Sequence, residues 1–230
     1  MQIGFDGHLY HRLFGIIAEN KGADVRVVRY DDEDGEPQGF AIYKASQGED
    51  DGSLTVTYLV AATDDAYSAL WRFLLEIDLI STVKATLRPV EEPVQWQISD
   101  ARAAVKSNET DHLWLRILDV KSTLEARRYS SEGVFVLEIG DELGIAHGVY
   151  LLTILQGGRA EVEKLDDAGG YADNSRLRMS IAELGAIFLG GVAVSTLVRA
   201  GRIDELQPGS AAAADASFRS GVTPWLSIWF

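Results

Sequence analysis

The chain has 230 residues, of which 47% are hydrophobic, and this is enough apolar material for one large domain or two small ones. It contains no cysteine, so disulfides, thiolate nucleophiles and cysteine zinc sites are excluded. The formal net charge is −14, which disfavours nucleic acid and anionic membrane surfaces and favours cationic ligands. No apolar run approaches the roughly 20 residues that span a bilayer. The first residues lack the pattern of a signal peptide, so we expect a cytoplasmic protein and leave release from the cell open.

The first half of the chain has the pattern of a small α+β unit. Helical periodicity over 6–20 comes first, followed by three β-like runs that predict an antiparallel meander over 24–30, 39–45 and 53–61. A second helix is predicted over 64–78, with Ala66, Leu70, Phe73, Leu74 and Ile77 on one stripe, and then a strand near 82–87. Two acidic runs, 31–36 and 49–52, interrupt the strands and are interpreted as solvated hairpin loops rather than cation sites.

A polar stretch without periodicity, 106–111, marks a predicted boundary, so the domains are taken as 1–110 and 111–230. Beyond it, 112–118 and 134–139 are predicted strands around a helix near 121–129. A Gln-Gly-Gly turn at 156–158 predicts a hairpin between 149–155 and 159–164, and 176–179 adds another strand.

The last third is predicted to be helical. Ser180 and Glu183 have the spacing of a capping box, a second helix is expected near 193–200, and Pro208 is expected to open a third. The fold class is therefore α+β, in two units.

The histidines and the paired glutamates of the sequence do not fit a catalytic or metal-binding motif. His8 and His11 lie three apart without a third ligand nearby, and His112 and His147 have no motif around them, so no metal site is predicted. Glu91 and Glu92 lie between two prolines, where a solvated or N-capping role is favoured over acid–base work.

The C-terminus is unusual because it is apolar, whereas most domain tails are polar and frayed. Residues 223–230 read Thr-Pro-Trp-Leu-Ser-Ile-Trp-Phe, and such a tail is expected to dock into a groove rather than remain in water. Docking would carry the α-carboxylate of Phe230 into a partly buried place. Two interpretations stay open at this point, simple packing of the tail and a functional carboxylate.

An ordered set of motifs resembles one family. The set comprises Leu-Trp-Arg-Phe-Leu-Leu-Glu-Ile-Asp at 70–78, Leu-Arg-Pro-Val at 87–90, His-Leu-Trp-Leu-Arg-Ile-Leu-Asp-Val at 112–120, Leu-Gly-Ala-Ile-Phe-Leu-Gly-Gly at 184–191, Ala-Gly-Arg at 200–202 and the closing Pro-Trp-x-x-x-Trp-Phe. In this order and spacing they resemble the enhanced-intracellular-survival (Eis) type acetyltransferases of the GCN5-related (GNAT) superfamily. The likeness runs over nearly the whole chain from about residue 20.

The resemblance implies a second, degenerate GNAT-like domain, incomplete in this chain, followed by a domain like sterol carrier protein 2 (SCP2). It also implies acetyl transfer from acetyl-CoA to amines of aminoglycosides or of lysine-containing proteins and peptides, and assembly as a homo-hexamer. In that family the C-terminal carboxylate acts as general base, and Phe230 stands at that position.

The chain departs from the superfamily in one respect. No Arg/Gln-x-x-Gly-x-Gly/Ala loop for acetyl-CoA occurs, because the stretch that begins at Arg12 has Ile17 at the last position. In the family, a tyrosine serves as the general acid, and the resemblance implies that it lies in a domain with no counterpart here. None of the eight tyrosines is therefore assigned that role.

We therefore expect an engineered or proteolytic fragment, or a natural truncation, that is inactive alone. The alternatives are a non-enzymatic SCP2-like module for apolar ligands, with Phe135, Tyr150, Phe188 and Phe218 as candidate plugs of its cavity, and an assembly scaffold.

Overall fold

A computed structural model describes residues 25–47, 52–171 and 173–228. The chain divides into two compact units. The first contains the described residues up to Glu109 and also 226–228, and the second comprises Thr110–Trp225. The helix expected over 6–20, with its two histidines, and the second acidic run at 49–51 lie outside the described residues.

In its described residues, the first unit is a four-stranded sheet with one α-helix. Its elements are β1 (Val25–Asp31), β2 (Pro37–Gln47), β3 (Gly52–Ala61), α1 (Asp64–Leu75) and β4 (Ile80–Ala85), followed by short 3-10 turns at Pro93–Trp96 and Ala101–Ala103. The order is β1-β2-β3-β4. The first three strands form the expected antiparallel meander, whereas β4 returns parallel to β3 after the α1 crossover. The sheet is therefore mixed, as a β-α-β connection requires.

Helix α1 packs Ala66, Leu70 and Leu74 against the sheet. The predicted stripe is wrong at Phe73, which is about half exposed, while Trp71 is buried instead. The helix also ends at Leu75, three residues before the predicted end.

The first acidic run is confirmed as a turn. Asp32 lies between β1 and β2, and its carboxylate accepts hydrogen bonds from the backbone N–H of Asp34 and Glu36 and from the side chain of Gln38. These donors hold the pKa of Asp32 below its usual value, the bond from Gln38 contributing most. The acidic charge thus stabilises its own loop.

The second unit is a five-stranded mixed sheet with four helices. Its elements are α2 (Val120–Ala126), β5 (Gly133–Gly140), β6 (Gly148–Ile154), β7 (Ala160–Leu165), β8 (Ser175–Ser180), α3 (Ile181–Phe188), α4 (Val194–Arg199), β9 (Ile203–Glu205) and α5 (Ser210–Phe218). The order is β7-β6-β5-β8-β9, in which only β5 and β8 run parallel. No helix in the described part of the chain has the length and apolarity that crossing a bilayer requires.

Two predictions in this half were wrong, and one strand was not predicted. Residues 112–118 form no strand and pair with neither sheet. Strand β9 was missed because it is only three residues long and exists through its pairing with β8. The last helix begins at Ser210 with Gly209 as its N-cap, so Pro208 precedes the helix rather than opening it. The capping box on α3 is confirmed.

Aromatic rings fill the interior of the second unit. The ring of Phe218 makes edge-to-face contacts with Tyr129 and Phe135, with centroid distances of 5.2 and 6.4 Å. Phe135, Phe218 and Tyr150 are buried in this core, and Phe188 packs against it from a partly exposed position. The four candidate plugs of an SCP2-like cavity therefore belong to one packed cluster.

The side chain of Arg127 connects this cluster to the C-termini of two helices. The guanidinium of Arg127 lies over the rings of Tyr129, Phe188 and Phe218, at 4.5, 5.6 and 4.8 Å from their centroids. It also donates hydrogen bonds to the carbonyl oxygens of Phe188 and Phe218, the last residues of α3 and α5. Positive charge at a helix C-terminus stabilises carbonyls that have no partner within the helix.

Replacing Arg127 is therefore expected to destabilise the second unit. Arg127→Ala removes the cation–π contacts and two charge-assisted hydrogen bonds, with an expected loss of about 3 kcal/mol. Arg127→Lys keeps the charge but loses the planar fork that reaches both carbonyls, so it recovers only part of the loss. Urea unfolding gives the measurement, with the neighbouring exposed Arg128→Ala as the control. Equal effects of Arg127→Ala and Arg128→Ala would contradict this role.

Candidate functional site

The candidate site lies in the first unit, where the parallel strands β3 and β4 separate. Their pairing runs from Gly52 opposite Ile80 to Val56 opposite Ala85. One residue further on, the backbone N–H of Thr86 still reaches the carbonyl of Val56 at 3.4 Å. Beyond that point the carbonyl of Leu59 accepts from the side chain of Arg88 at 3.0 Å instead of from a strand partner. The strands thus separate beyond Thr86, and the guanidinium of Arg88 bonds to β3 at that point.

The local backbone explains how Arg88 enters this opening. Leu87 has a φ of 53°, in the left-handed region that non-glycine residues seldom adopt. Pro89 follows Arg88 and restricts the backbone of the residue before it. The sequence Leu-Arg-Pro therefore ends the strand abruptly and turns the chain, and the Arg88 side chain returns toward β3.

A buried carboxylate holds the cation there. The Nε of Arg88 donates to Glu92 at 2.9 Å, and the hydroxyl of Tyr67 on α1 donates to the other oxygen of the same carboxylate. The guanidinium also lies 5.7 Å from the ring of Trp71. The side chains of Arg88 and Glu92 are 13% and 18% exposed, so this ion pair is shielded from water.

Burial changes the ionisation of both partners. It raises the pKa of Glu92 to about 7 and lowers the pKa of Arg88 to about 10. A charged group taken out of water loses its hydration, which favours the neutral form of each. The ion pair and the tyrosine hydroxyl oppose this for Glu92, since both favour the charged carboxylate. A carboxylate that titrates near neutral pH is typical of functional sites and also of buried structural pairs.

The N-terminus of α1 lies just beyond the carboxyl end of β3, since the strand ends at Ala61 and the helix begins at Asp64. Thr63 caps the helix by accepting from the N–H of Ala66 at 3.2 Å, and Asp64 and Asp65 occupy the first turn. A free helix N-terminus binds phosphate through its N–H groups and its positive dipole. Here a side chain satisfies one of these donors and two carboxylates make the end acidic, so it disfavours an anion.

The sequence did not predict a functional site at Glu91 and Glu92. Glu91 is exposed, as expected. Glu92 occupies the N-cap position of the turn at Pro93–Trp96, as the N-capping alternative predicted, but its side chain is largely shielded from water and makes no cap hydrogen bond. Its partner Arg88 lies four residues earlier, and the proline on each side of the acidic pair constrains the loop. That spacing was the available signal, whereas Tyr67 comes from a distant helix and could be found only through the fold.

The other predicted site residues are not brought together. Phe230, predicted as the catalytic carboxylate, lies outside the described residues, as does the stretch from Arg12 to Ile17 that fails the acetyl-CoA loop pattern. Of the tail, residues 226–228 belong with the first unit. In the described ranges, His112 and His147 join no group of three residues that could hold a metal ion.

Two family models match the chain and together cover most of it. An acetyltransferase (GNAT) domain matches residues 7–117, and a sterol carrier protein domain matches residues 120–227. The parallel β3-α1-β4 crossover lies within the first match, and the five-stranded sheet lies within the second. The fold thus defines a GNAT acetyltransferase domain joined to a sterol carrier domain.

The relatives specify the family further. An uncharacterised N-acetyltransferase of Streptomyces coelicolor is 36% identical over 201 residues, which is 85% of this chain and 47% of that protein. The N-acetyltransferase Eis of Mycobacterium tuberculosis is 32% identical over 186 residues, covering 81% of this chain and 44% of the relative.

Solved structures show the same likeness. Eis1 of Mycobacterium abscessus matches with a TM-score of 0.79 and 27% identity, over 95% of this chain and 54% of that one. A GCN5-related N-acetyltransferase of Anabaena variabilis shares the fold, with a TM-score of 0.72 at 19% identity, covering 100% of this chain and 61% of that one.

The chain belongs to the Eis-like GNAT N-acetyltransferases. It spans about half the length of the curated relatives it matches. Membership of the GNAT family implies the use of acetyl-CoA in general. In the described residues of the first unit, the Arg88 side chain bonds to the carbonyl of Leu59 where the parallel strands separate, and Asp64 and Asp65 occupy the first turn of the helix that follows β3.

Proposed function

We propose that this chain is the acceptor-side portion of an Eis-like enzyme that transfers acetyl from acetyl-CoA to amines. In this proposal the acetyl-CoA site lies in a part of the protein outside these 230 residues, and the chain alone is inactive. The chain shapes the acceptor pocket, supplies the C-terminal carboxylate of Phe230 and takes part in assembly of a homo-oligomer, a hexamer by family resemblance.

The observation that carries the proposal is the closed opening between β3 and β4. Acetyl-CoA is polyanionic, and a GNAT-type site needs a helix N-terminus with free N–H groups to hold its pyrophosphate. In this chain the equivalent end carries Thr63 as its cap and two aspartates in its first turn. Where the strands separate, the guanidinium of Arg88, paired with Glu92, bonds to the carbonyl of Leu59. A thioester cofactor would have to displace a buried, hydrogen-bonded ion pair, which is costly.

The proposed acceptors are cationic amines, either aminoglycosides or lysine side chains. Support comes from the charge of the chain, with 35 acidic against 21 basic residues. Such a field raises the local concentration of cations and speeds their association at low salt. It does not choose between the two acceptor classes.

The Phe230 carboxylate is proposed to receive the proton that a protonated amine must lose before it can attack a carbonyl carbon. An α-carboxylate has a reference pKa of about 3.5, so it is a weak base in water and becomes a better one when buried. It can also bind the ammonium group electrostatically without any shift in its pKa. Both roles require only that the carboxylate reach the amine directly or through one water molecule.

A binding module for apolar ligands is the less supported alternative. The rings of Phe135 and Phe218 pack against each other in the centre of the second unit, where such a ligand would have to lie. Close-packed rings leave no room for a second apolar body unless they move.

The acceptor proposal is tested with the protein that carries this chain together with its acetyl-CoA site. Release of the coenzyme A thiol is followed with an aminoglycoside, a lysine-containing peptide and a neutral polyol of similar size. We expect turnover with one or both amines, none with the polyol, and a KM for the amine that rises with salt. Failure to acetylate any amine, or equal activity on the polyol, would contradict the proposal.

A further inference from the structure

The C-terminal tail is held at its start by hydrogen bonds within the second unit. Three consecutive carbonyl oxygens at the end of α5 accept from the segment that follows α2. Ser130 supplies two of the donors, its N–H to Ser217 at 2.9 Å and its hydroxyl to Arg219 at 2.7 Å. The guanidinium of Arg127 supplies the third, to Phe218 at 2.8 Å. Carbonyls at a helix C-terminus lack partners within the helix, so these bonds fix the point where the tail begins.

The next residue of the tail rests on Gly190. The N–H of Ser220 donates to the carbonyl of Gly190 at 3.2 Å. Gly190 follows the C-cap of α3 and has a φ of 80°. A Cβ at this position would overlap the carbonyl oxygen of Phe218 and the backbone nitrogen of Ser220. Glycine is therefore required both by the left-handed backbone and by the close approach of the two chain segments.

Gly191 supports the tail at a second point. A Cβ on Gly191 would lie 3.1 Å from Cδ and 3.9 Å from Cγ of Pro224, so the proline ring packs directly on this glycine. The ring fixes the φ of Pro224 and restricts the backbone of Thr223 before it. Gly191 does not have a positive φ, so the end of α3 does not explain it. Two supports and a stiff residue give the tail a defined direction.

A fixed Pro224 limits where the terminal carboxylate can lie. Residues 225–230 span at most about 20 Å when fully extended. Residues 226–228 group with the first unit, so the held segment is the last part of the second unit before the tail leaves it. Proton transfer requires hydrogen-bond contact. A displacement of about 1 Å that originates far from the reacting atoms can lower a rate by about 10²-fold.

We propose that Arg127, Ser130, Gly190 and Gly191, called here the tail clamp, position the carboxylate of Phe230 for acetyl transfer. They are positioning residues, because they act through residues 217–224 of the tail rather than on the acceptor. The inference rests on the proposed role of the Phe230 carboxylate. It adds that the place of this carboxylate is set in the second unit, at the end of α3.

Gly191→Val tests the positioning in the protein that carries this chain together with its acetyl-CoA site. The new side chain meets the ring of Pro224 rather than backbone atoms, so it displaces the tail without breaking α3. We expect kcat to fall by about 10–100-fold, with the KM for acetyl-CoA unchanged. Gly170→Val is the matched control, because Gly170 is exposed and a Cβ there meets no atom within 4 Å. Adding Pro224→Ala to Gly191→Val removes the ring atoms in contact and should restore part of the loss.

Trypsin digestion of the 230-residue chain follows the tail without any catalysis. Cleavage after Arg219 releases residues 220–230, which mass spectrometry identifies. Arg219 is exposed, but its carbonyl is bonded to Ser130, so cleavage requires the tail to lift locally. Ser130→Ala is expected to speed the release about fivefold, the effect of losing one hydrogen bond. Ser130→Thr keeps the hydroxyl and should leave the release near that of the wild type, whereas Gly191→Val should speed it.

The two measurements separate the tail clamp from the role of the carboxylate. Where deletion of Phe230 lowers turnover, near-normal turnover of Gly191→Val, or an equal loss from Gly170→Val, would overturn the positioning role. Tail release that neither Ser130→Ala nor Gly191→Val accelerates would also overturn it. So would a loss of turnover that only accompanies a matching loss of stability in urea. Normal turnover after deletion of Phe230 would instead overturn the proposed function, and the positioning role with it, even with a tail that responds to the clamp variants.

Discussion

Removing Phe230 is expected to lower the turnover number of acetyl transfer by about 10²–10⁴-fold, the usual contribution of a general base. The experiment requires the protein that carries this chain together with its acetyl-CoA site. Deletion moves the terminal carboxylate back by one residue, to Trp229. Because proton transfer needs hydrogen-bond contact, a displacement of about 3.5 Å along an extended chain takes the base out of reach.

Two further variants separate the carboxylate from the ring. Phe230→Ala keeps the terminal carboxylate at its place in the chain and is expected to retain most of the turnover. Extension of the chain by one glycine keeps the ring but relocates the carboxylate, and should behave like the deletion. Near-normal turnover of the deletion or of the glycine extension would contradict the proposed role. A large loss from Phe230→Ala alone would indicate that docking of the ring is what matters.

The second large effect is expected at the buried ion pair of the first unit. Arg88→Ala should destabilise this unit by about 3–5 kcal/mol, because it leaves the carboxylate of Glu92 shielded from water without its cation. The matched control is Arg72→Ala. Arg72 lies on α1 and forms a pair with Glu76, the residue at its C-cap, but the Arg72 side chain is 77% exposed, and such pairs contribute less than about 1 kcal/mol. Replacing Arg88 and Glu92 together with apolar residues of similar size should cost far less than Arg88→Ala.

The same pair predicts a dependence of stability on pH. Burial raises the pKa of Glu92 in the folded chain to about 7, above its ordinary value of 4.5. The folded state therefore binds the proton more tightly, so this stabilisation is fully present below pH 4.5 and is lost as the pH rises through 7. The slope is at most about 1.4 kcal/mol per pH unit. Glu92→Gln should remove it, and Arg88→Ala should cost more at about pH 8 than at about pH 5, where Glu92 is protonated.

Urea titrations followed by tryptophan fluorescence measure these effects, since Trp71 lies against Arg88. Equal losses from Arg88→Ala and Arg72→Ala would show that the buried pair contributes no more than a surface pair. A pH profile that Glu92→Gln leaves unchanged would show that another group titrates.

Local signals in the sequence predicted much of the fold. The capping box of Ser180 and Glu183 depends on residues three apart, and the Gly157-Gly158 turn depends on backbone freedom at two positions, both with positive φ. Such features are complete within a few residues, so no knowledge of the tertiary structure is needed. The antiparallel meander β1–β3 followed from its turns in the same way.

Features that depend on distant partners were missed. Residues 112–118 have the composition of a strand, but Ile117 packs into the core and the backbone rests on Gly185 instead of pairing with a strand. Strand β9 exists only because β8 lies beside it. Glu92 was assigned a solvated or N-capping role, because nothing local reveals that the hydroxyl of Tyr67 on α1 bonds to its carboxylate. The sequence motifs identified the family, but the closed opening between β3 and β4 became visible only in the structure.

The most direct test of the account is a calorimetric titration of the 230-residue chain with acetyl-CoA. Because the Arg88–Glu92 pair is shielded from water beside the separating strands and two aspartates occupy the first turn of α1, we predict no saturable heat up to millimolar cofactor. Saturable binding in the micromolar range would contradict the account, since the first unit would then be a working acetyl-CoA domain.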